Sequence, residues 1–300
     1  MQEFFQQIIN GLALGSIYAL IALGYTMVYG ILKMINFAHG DLYMLSAITG
    51  YYAAHALHVH EQSSTFGFIS VFLISVAVST LAGLLIERIA YRPLRQAPRL
   101  SLLITAIGIS LFLEFGGQVV FGPDPKLFPP LIQVATLWQW GGLVITNIQI
   151  LILAVTGLLL LCLWWTIHHT RMGKAMRAVA FNLDAAQLMG IHPDRIIAFT
   201  FAVGSALAGA AGILVGISIP KIEPLMGIMP GLKAFVAAVL GGIGNITGAV
   251  VGGLFIGLAE TLIVGYTVST YRDAIAFIIL ILILLIRPTG LLGSGEREKV

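Results

Sequence analysis

Apolar residues gather into nine stretches separated by short polar intervals, near 4–29, 37–57, 66–86, 100–120, 145–167, 196–218, 228–243, 247–266 and 272–286. A helix crosses the hydrocarbon core of a bilayer with about 20 mainly apolar residues. Two stretches are irregular: 228–243 is short, and 37–57 is interrupted by polar residues. Non-helical backbone survives at membrane depth only when buried in protein, so either stretch is a candidate for a broken or re-entrant segment. The pattern predicts an all-α, polytopic transmembrane helical bundle of eight or nine spans, with 1–300 as a single domain. The amino-terminal stretch lacks the basic start of a secretory signal and runs on apolar beyond a signal core of about 7–15 residues, so it reads as a retained span.

Composition agrees with this class. The chain is 58% hydrophobic and only 10% charged, where a soluble domain carries roughly a quarter charged residues. It also holds 34 glycines, which suit membrane helices because small residues let backbones approach closely. The net charge of +3 is spread over loops and forms no basic patch, so nucleic acid is not an expected partner. The lone Cys162 cannot form an internal disulfide and reads as a packed small residue.

Lys and Arg alternate between loops. Lys33; Arg88, Arg92, Arg95 and Arg99; Arg171, Lys174, Arg177 and Arg195; and Arg287, Arg297 and Lys299 make twelve of the sixteen basic residues. Positively charged short loops stay cytoplasmic, which places the carboxyl terminus in the cytoplasm and, with nine spans, the amino terminus outside. The Pro-rich 121–130 and Trp138-Gln139-Trp140 then read as an external loop with an aromatic interface anchor.

The longest hydrophilic stretch, 168–195, falls on the cytoplasmic side, and a partner is expected there. Within it Asp184-Ala185-Ala186-Gln187-Leu188-Met189-Gly190 has the form acidic-Ala-Ala-x-x-x-Gly. Two alanines make a narrow helix face that a partner can approach, and Gly190 can end the helix in the left-handed conformation. Arg171, Lys174 and Arg177 upstream would suit an acidic cleft. An ordinary surface helix ending in Gly also matches the heptad. No P-loop accompanies it: Gly173-Lys174 is followed by Ala175, not Ser or Thr, so the chain is not expected to hydrolyse ATP or to act as an enzyme.

The heptad resembles the coupling motif of ABC importer permeases. The segments at 11–45, 87–95, 171–191, 233–260 and 287–293, the last reading RPTGLLG, are together similar to the high-affinity branched-chain amino acid permeases of the LivH type. The resemblance runs from end to end. It implies a bacterial inner-membrane transport subunit without cofactor of its own, a LivM-type sister permease, two ABC ATPase subunits that bind ATP-Mg, and a periplasmic amino-acid-binding protein. Urea and short-chain amide permeases are similar as well.

Several residues compete for roles inside the spans. Asn36, His39 and Asp41 are the most polar cluster there, and ionisable groups at that depth suggest function. Either the chain breaks at 30–36 and a new helix starts with Asn36 as its cap, facing substrate, or 30–36 is a cytoplasmic loop and the cluster caps a helix at the interface. Asn245, just ahead of a glycine-rich run as Asn36 is, joins the candidate substrate path. The two half-patterns at 35–47 and 242–254 suggest pseudo-repeated halves, and chance likeness between Gly-rich segments explains them as well. Gly244, Gly248 and Gly252 recur every four residues, as do Gly253 and Gly257, and Gly204, Ala208 and Gly212. These read as helix-packing seams facing either this chain or the sister subunit. Lys233 and Glu260 are expected to pair. His168 and His169 diverge on a helix and have no further ligand at metal spacing, so no metal site is expected. The rival to an ABC permease is an ion-coupled secondary transporter using Asp41, Glu114 or Glu260.

Overall fold

The computed structural model describes residues 2–59, 64–95, 97–267 and 269–293. Arg297, Lys299 and the carboxyl terminus lie outside the described residues, as do the side chains of Arg99 and Trp140. Each apolar stretch becomes one helix: α1 Gln2–Leu32, α2 His39–Ala56, α3 Thr65–Ile86, α4 Arg99–Phe121, α5 Asn147–His169, α8 Pro193–Ser218, α9 Ile228–Gly241, α10 Ile246–Tyr266 and α11 Arg272–Ile286. The hydrophilic stretch supplies the short α6 Arg171–Phe181 and α7 Leu183–Leu188. Among the described residues six helices, α1, α3, α4, α5, α8 and α10, are long and apolar enough to cross a membrane. The protein is an all-α, multi-pass bundle.

Helix α1 runs through the centre, and nearly every residue from Ser16 to Val28 is buried. It packs against α8, α9 and α10, while α8 packs against α2 and α3. Glycine makes the closest approaches possible, and α10 presents it in two rows. A Cβ on Gly248 or Gly252 would strike the carbonyl oxygen of Gly241 or Ala237 on α9. On the other row, a Cβ on Gly253 or Gly257 would strike the backbone of α1 at Ala19 or Gly15. Gly204 of α8 faces Gly24 of α1, and Gly212 meets the Tyr43 carbonyl of α2. These seams face helices of this chain. Gly244 lies outside the helices, in the turn between α9 and α10 at φ +95°.

Three features depart from the expectations. The Pro-rich connection is more than a loop: Phe128 and Leu131 are buried in a second small core with Phe68, Val71 and Ile213. Short strands tie this end together. β1 Lys126–Leu127 pairs antiparallel with β4 Lys221–Ile222, and β2 Thr136–Trp140 pairs with β3 Leu143–Thr146 around Gly141 and Gly142. Cys162 is exposed, not packed: it lines an open groove of α5 with Phe72 of α3 and Val203 of α8. Finally, α3 continues through a π-helical turn at Glu87–Tyr91 and a 3₁₀ turn at Arg92–Leu94.

The bundle has two distinct ends. One gathers the 33–38 connection, Arg92, Arg95, α6, α7, the 242–245 turn and 287–293, linked by Arg95 to Asp194 and by Leu291 N–H to the Leu240 carbonyl at 2.8 Å. The other gathers the start of α1, both strand pairs and residues 260–267 and 269–273, linked by Gln6 to Val144 and Thr261 to Gln7. The first is the arginine-rich end.

Candidate functional site

Lys33, at φ +53°, stops α1 at the arginine-rich end. The chain then turns back into the protein. His39, the first residue of α2, lies against Gly24 of α1, eight residues or about 12 Å short of the end of that helix at 1.5 Å per residue. The irregular stretch is therefore a helix that begins inside the bundle. Its partner is α9, which begins at the same depth and runs the opposite way. Gly40 of α2 packs on Gly227 and Gly231, at the start of α9, so closely that a Cβ would meet the Gly227 carbonyl at 2.7 Å.

The three polar residues of this break separate: His39 and Asp41, two apart on α2, do not share a face, and Asn36 lies ahead of the helix. Asn36 does not cap α2, whose N-cap is Ala38; its Oδ1 instead accepts the Tyr91 hydroxyl at 2.7 Å. His39, 1% exposed, stacks edge-on to Tyr25 at 4.9 Å and leaves Nε2 without a hydrogen-bond partner. Asp41 accepts the Ser110 hydroxyl of α4 at 2.6 Å, and the same hydroxyl lies 3.3 Å from Glu114. All three are buried.

Two cavities flank this level. The larger, about 840 Å³, opens at the arginine-rich end and is lined by Lys33, Arg177, Phe235 and Asn245 among others. Asn245 has a structural task there: its side chain accepts Gly248 N–H at 3.1 Å as the N-cap of α10 and donates to the Leu292 carbonyl at 2.7 Å. The smaller cavity, about 340 Å³, lies at the other end and is lined by Ile17, Tyr18, Met229 and Lys233, with Arg272 and Asp273. Between them Tyr25, His39 and Phe235 form an aromatic plug, with Tyr25 and Phe235 6.3 Å apart.

Charges buried near the smaller cavity are paired. Lys233 Nζ lies 3.0 Å from Glu260 and 2.6 Å from Asp273. Glu260 also binds Arg272 and accepts the Tyr18 hydroxyl at 2.9 Å. The Lys233–Glu260 pair was legible in the sequence; Tyr18, Arg272 and Asp273 were not, since their convergence depends on α1, α9, α10 and α11 meeting.

At the arginine-rich end α6 carries Arg171 and Lys174 exposed, while Arg177 donates to the Ile167 carbonyl. Asn182 caps α7, accepting Ala185 N–H at 2.9 Å. Gly190, at φ +82°, closes the helix: its N–H bonds Gln187 at 3.0 Å and Ile191 N–H bonds Ala186 at 3.1 Å, the paired bonds of a Schellman end. Asp184 and Ala185 are exposed, but Ala186 is 4% exposed and turned into the chain, so only one of the two alanines is open to a partner. Exposed instead are Phe181, Leu188 and Met189, each at least 81%. No signal in the sequence set them apart from Met172, Met176, Val179 and Leu183 of the same stretch.

Residues 7–284 match the family described as branched-chain amino acid transport system / permease component. The high-affinity branched-chain amino acid transport system permease protein LivH of Salmonella typhimurium is 45% identical over 303 residues, covering 99% of this chain and 98% of that one. LivH of Escherichia coli K12 matches equally, and BraD of Pseudomonas aeruginosa is 45% identical over 302 residues with the same coverage. Among solved structures, PsaBC from Streptococcus pneumoniae in complex with Fab aligns with a TM-score of 0.49 at 13% identity, covering 96% of this chain and 93% of that one. A nearly full-length match at this identity, on a multi-pass bundle with a helix broken inside it, leads to one conclusion: the chain belongs to the branched-chain amino acid transport system permease family.

Proposed function

We propose that this chain is one permease subunit of a bacterial ABC importer that moves leucine, isoleucine and valine across the inner membrane, with its arginine-rich end in the cytoplasm. ATP-Mg is bound and hydrolysed by two separate ATPase subunits. A LivM-type sister permease completes the pore, and a periplasmic amino-acid-binding protein delivers substrate. The names of the LivH and BraD relatives support the substrate. The observation that carries the coupling role is residues 181–190, where exposed Phe181, Leu188 and Met189 stand on a helix closed by Gly190. An exposed apolar cluster beside basic residues suits a cleft in another protein, since burial of such a patch drives association.

Transport would then follow from alternating access around the plug of Tyr25, His39 and Phe235. ATP binding in the partners moves α7, α8 follows because it starts three residues after Gly190, and the Gly24–Gly204 crossing changes. His39 and Asn245 belong to this path in the present reading, the first in the plug and the second in the cavity at the arginine-rich end. Asn36 and Asp41 brace the broken helix from Tyr91 and Ser110.

Uptake of leucine by membrane vesicles carrying the whole system tests the reading. It should require ATP and the binding protein, persist after the ion gradient is collapsed, and be competed by isoleucine and valine. Uptake that follows the ion gradient without ATP would replace it with ion-coupled transport through Asp41 and Glu114. Preference for urea or a short amide would replace the substrate alone.

A further inference from the structure

The cavity at the end opposite the arginines has a chemistry of its own. Its charged groups balance: Lys221, Lys233 and Arg272 stand against Glu223 and Asp273 in the lining and Glu260 directly behind it. A ligand carrying net charge would upset that balance beside the buried Lys233 and Glu260, whereas one with both a positive and a negative pole would not. Donors and acceptors are also left over. Arg272 uses Nε on Glu260, and its two terminal nitrogens make no hydrogen bond among the described residues. Asp273 binds Lys233 through Oδ1 alone and is 48% exposed.

The rest of the wall is apolar. Leu225 and Met229 are 41% and 45% exposed although they line a cavity beside charged groups. Exposed apolar side chains next to unspent polar atoms are what an amphipathic ligand needs. The volume of about 340 Å³ lies at the small end of the range of about 300–1,000 Å³ for ligand cavities, which suits a small ligand such as an amino acid. Tyr43 of α2 and Met226 and Pro230 around the start of α9 also line it.

We propose that this cavity is a binding site for one free aliphatic α-amino acid, held above the aromatic plug before it opens. Lys233 and Arg272 face the carboxylate, Asp273 and Glu223 the ammonium group, and Ile17 and Met229 the side chain. The proposal rests on the permease reading above and adds the place and the poles of recognition.

Cysteine protection tests it. Met226→Cys and Met229→Cys are made singly in a Cys162→Ala chain within the complete transporter, and a small membrane-impermeant thiol reagent is applied from outside. Millimolar leucine should slow labelling at least fivefold. Isoamylamine and 4-methylpentanoate, which are leucine without one pole, should each slow it less than twofold. Arg272→Gln should raise the leucine concentration for half-protection about tenfold. No labelling at either position, no protection by leucine while leucine uptake persists, or equal protection by all three compounds would each overturn the site and leave the permease reading standing. Absence of leucine uptake by the Cys162→Ala parent and by the unaltered transporter would overturn the permease reading, and the site with it.

Discussion

Gly190 holds a backbone angle that a β-branched side chain adopts only at a cost of about 1–2 kcal/mol, a factor of about 5–30 in an equilibrium. Nothing lies within 4 Å of a Cβ there, so the strain is local. Gly190→Val should leave the chain folded and inserted while co-purifying ATPase falls about fivefold or more. The neighbouring alanines should behave differently from each other. Ala185→Trp should weaken ATPase binding without lowering the chain's own melting temperature, because Ala185 is exposed. Ala186→Trp should lower that temperature, because Ala186 is buried against this chain. If Gly190→Val and Ala185→Trp retain ATPases and transport at parental rates, α7 is an ordinary surface helix.

At the scale of elements, α10 is a wedge between α9 and α1, and its two glycine rows meet backbone atoms that cannot swing aside. Gly252→Leu and Gly257→Leu should each cost about 1–3 kcal/mol by overpacking, read as a lower melting temperature of the purified chain in detergent. Gly108→Leu on α4 is the control, since a Cβ there meets nothing within 4 Å; an equal loss would show that the seams are not what holds the bundle. The ion network linking α9, α10 and α11 should be graded by burial. Glu260, 2% exposed, is shared by Lys233, Arg272 and Tyr18. Glu260→Gln should cost about 3–5 kcal/mol because it strips a buried cation of a partner. Asp273→Asn, at a half-exposed end, should cost about 1 kcal/mol or less. Equal melting temperatures for the two variants would contradict this ranking.

At the scale of the molecule, the two cavities lie on either side of one packed level, and the proposed transport cycle requires that level to open. His39, 1% exposed, reports that event. A His39→Cys chain with Cys162→Ala should be inert to a water-soluble thiol reagent in the conformation described, and should react when the transporter cycles with ATP. Uniform rapid labelling in every condition would place His39 at an open surface instead. The isolated chain should show no saturable ATP binding by equilibrium dialysis, as it has no phosphate-cradling loop; tight binding would assign nucleotide chemistry to this subunit.

The hydrophobic pattern alone determined the class, the nine apolar helices and the hydrophilic stretch at 168–195, because helix length, apolar runs and basic loops are local properties of the chain. The glycine repeats marked close packing for the same reason: a four-residue period puts small residues on one face. What that face meets is not local. Only the tertiary structure decided that α10 serves α9 with one row and α1 with the other, that Ala186 turns inward, and that Phe128 of the Pro-rich connection enters a core. It also decided that α2 begins inside the bundle. Neither Asn36 nor His39 states in sequence how far the chain turns back after Lys33, since that depth is set by Gly40 finding Gly227 and Gly231 nearly 190 residues away.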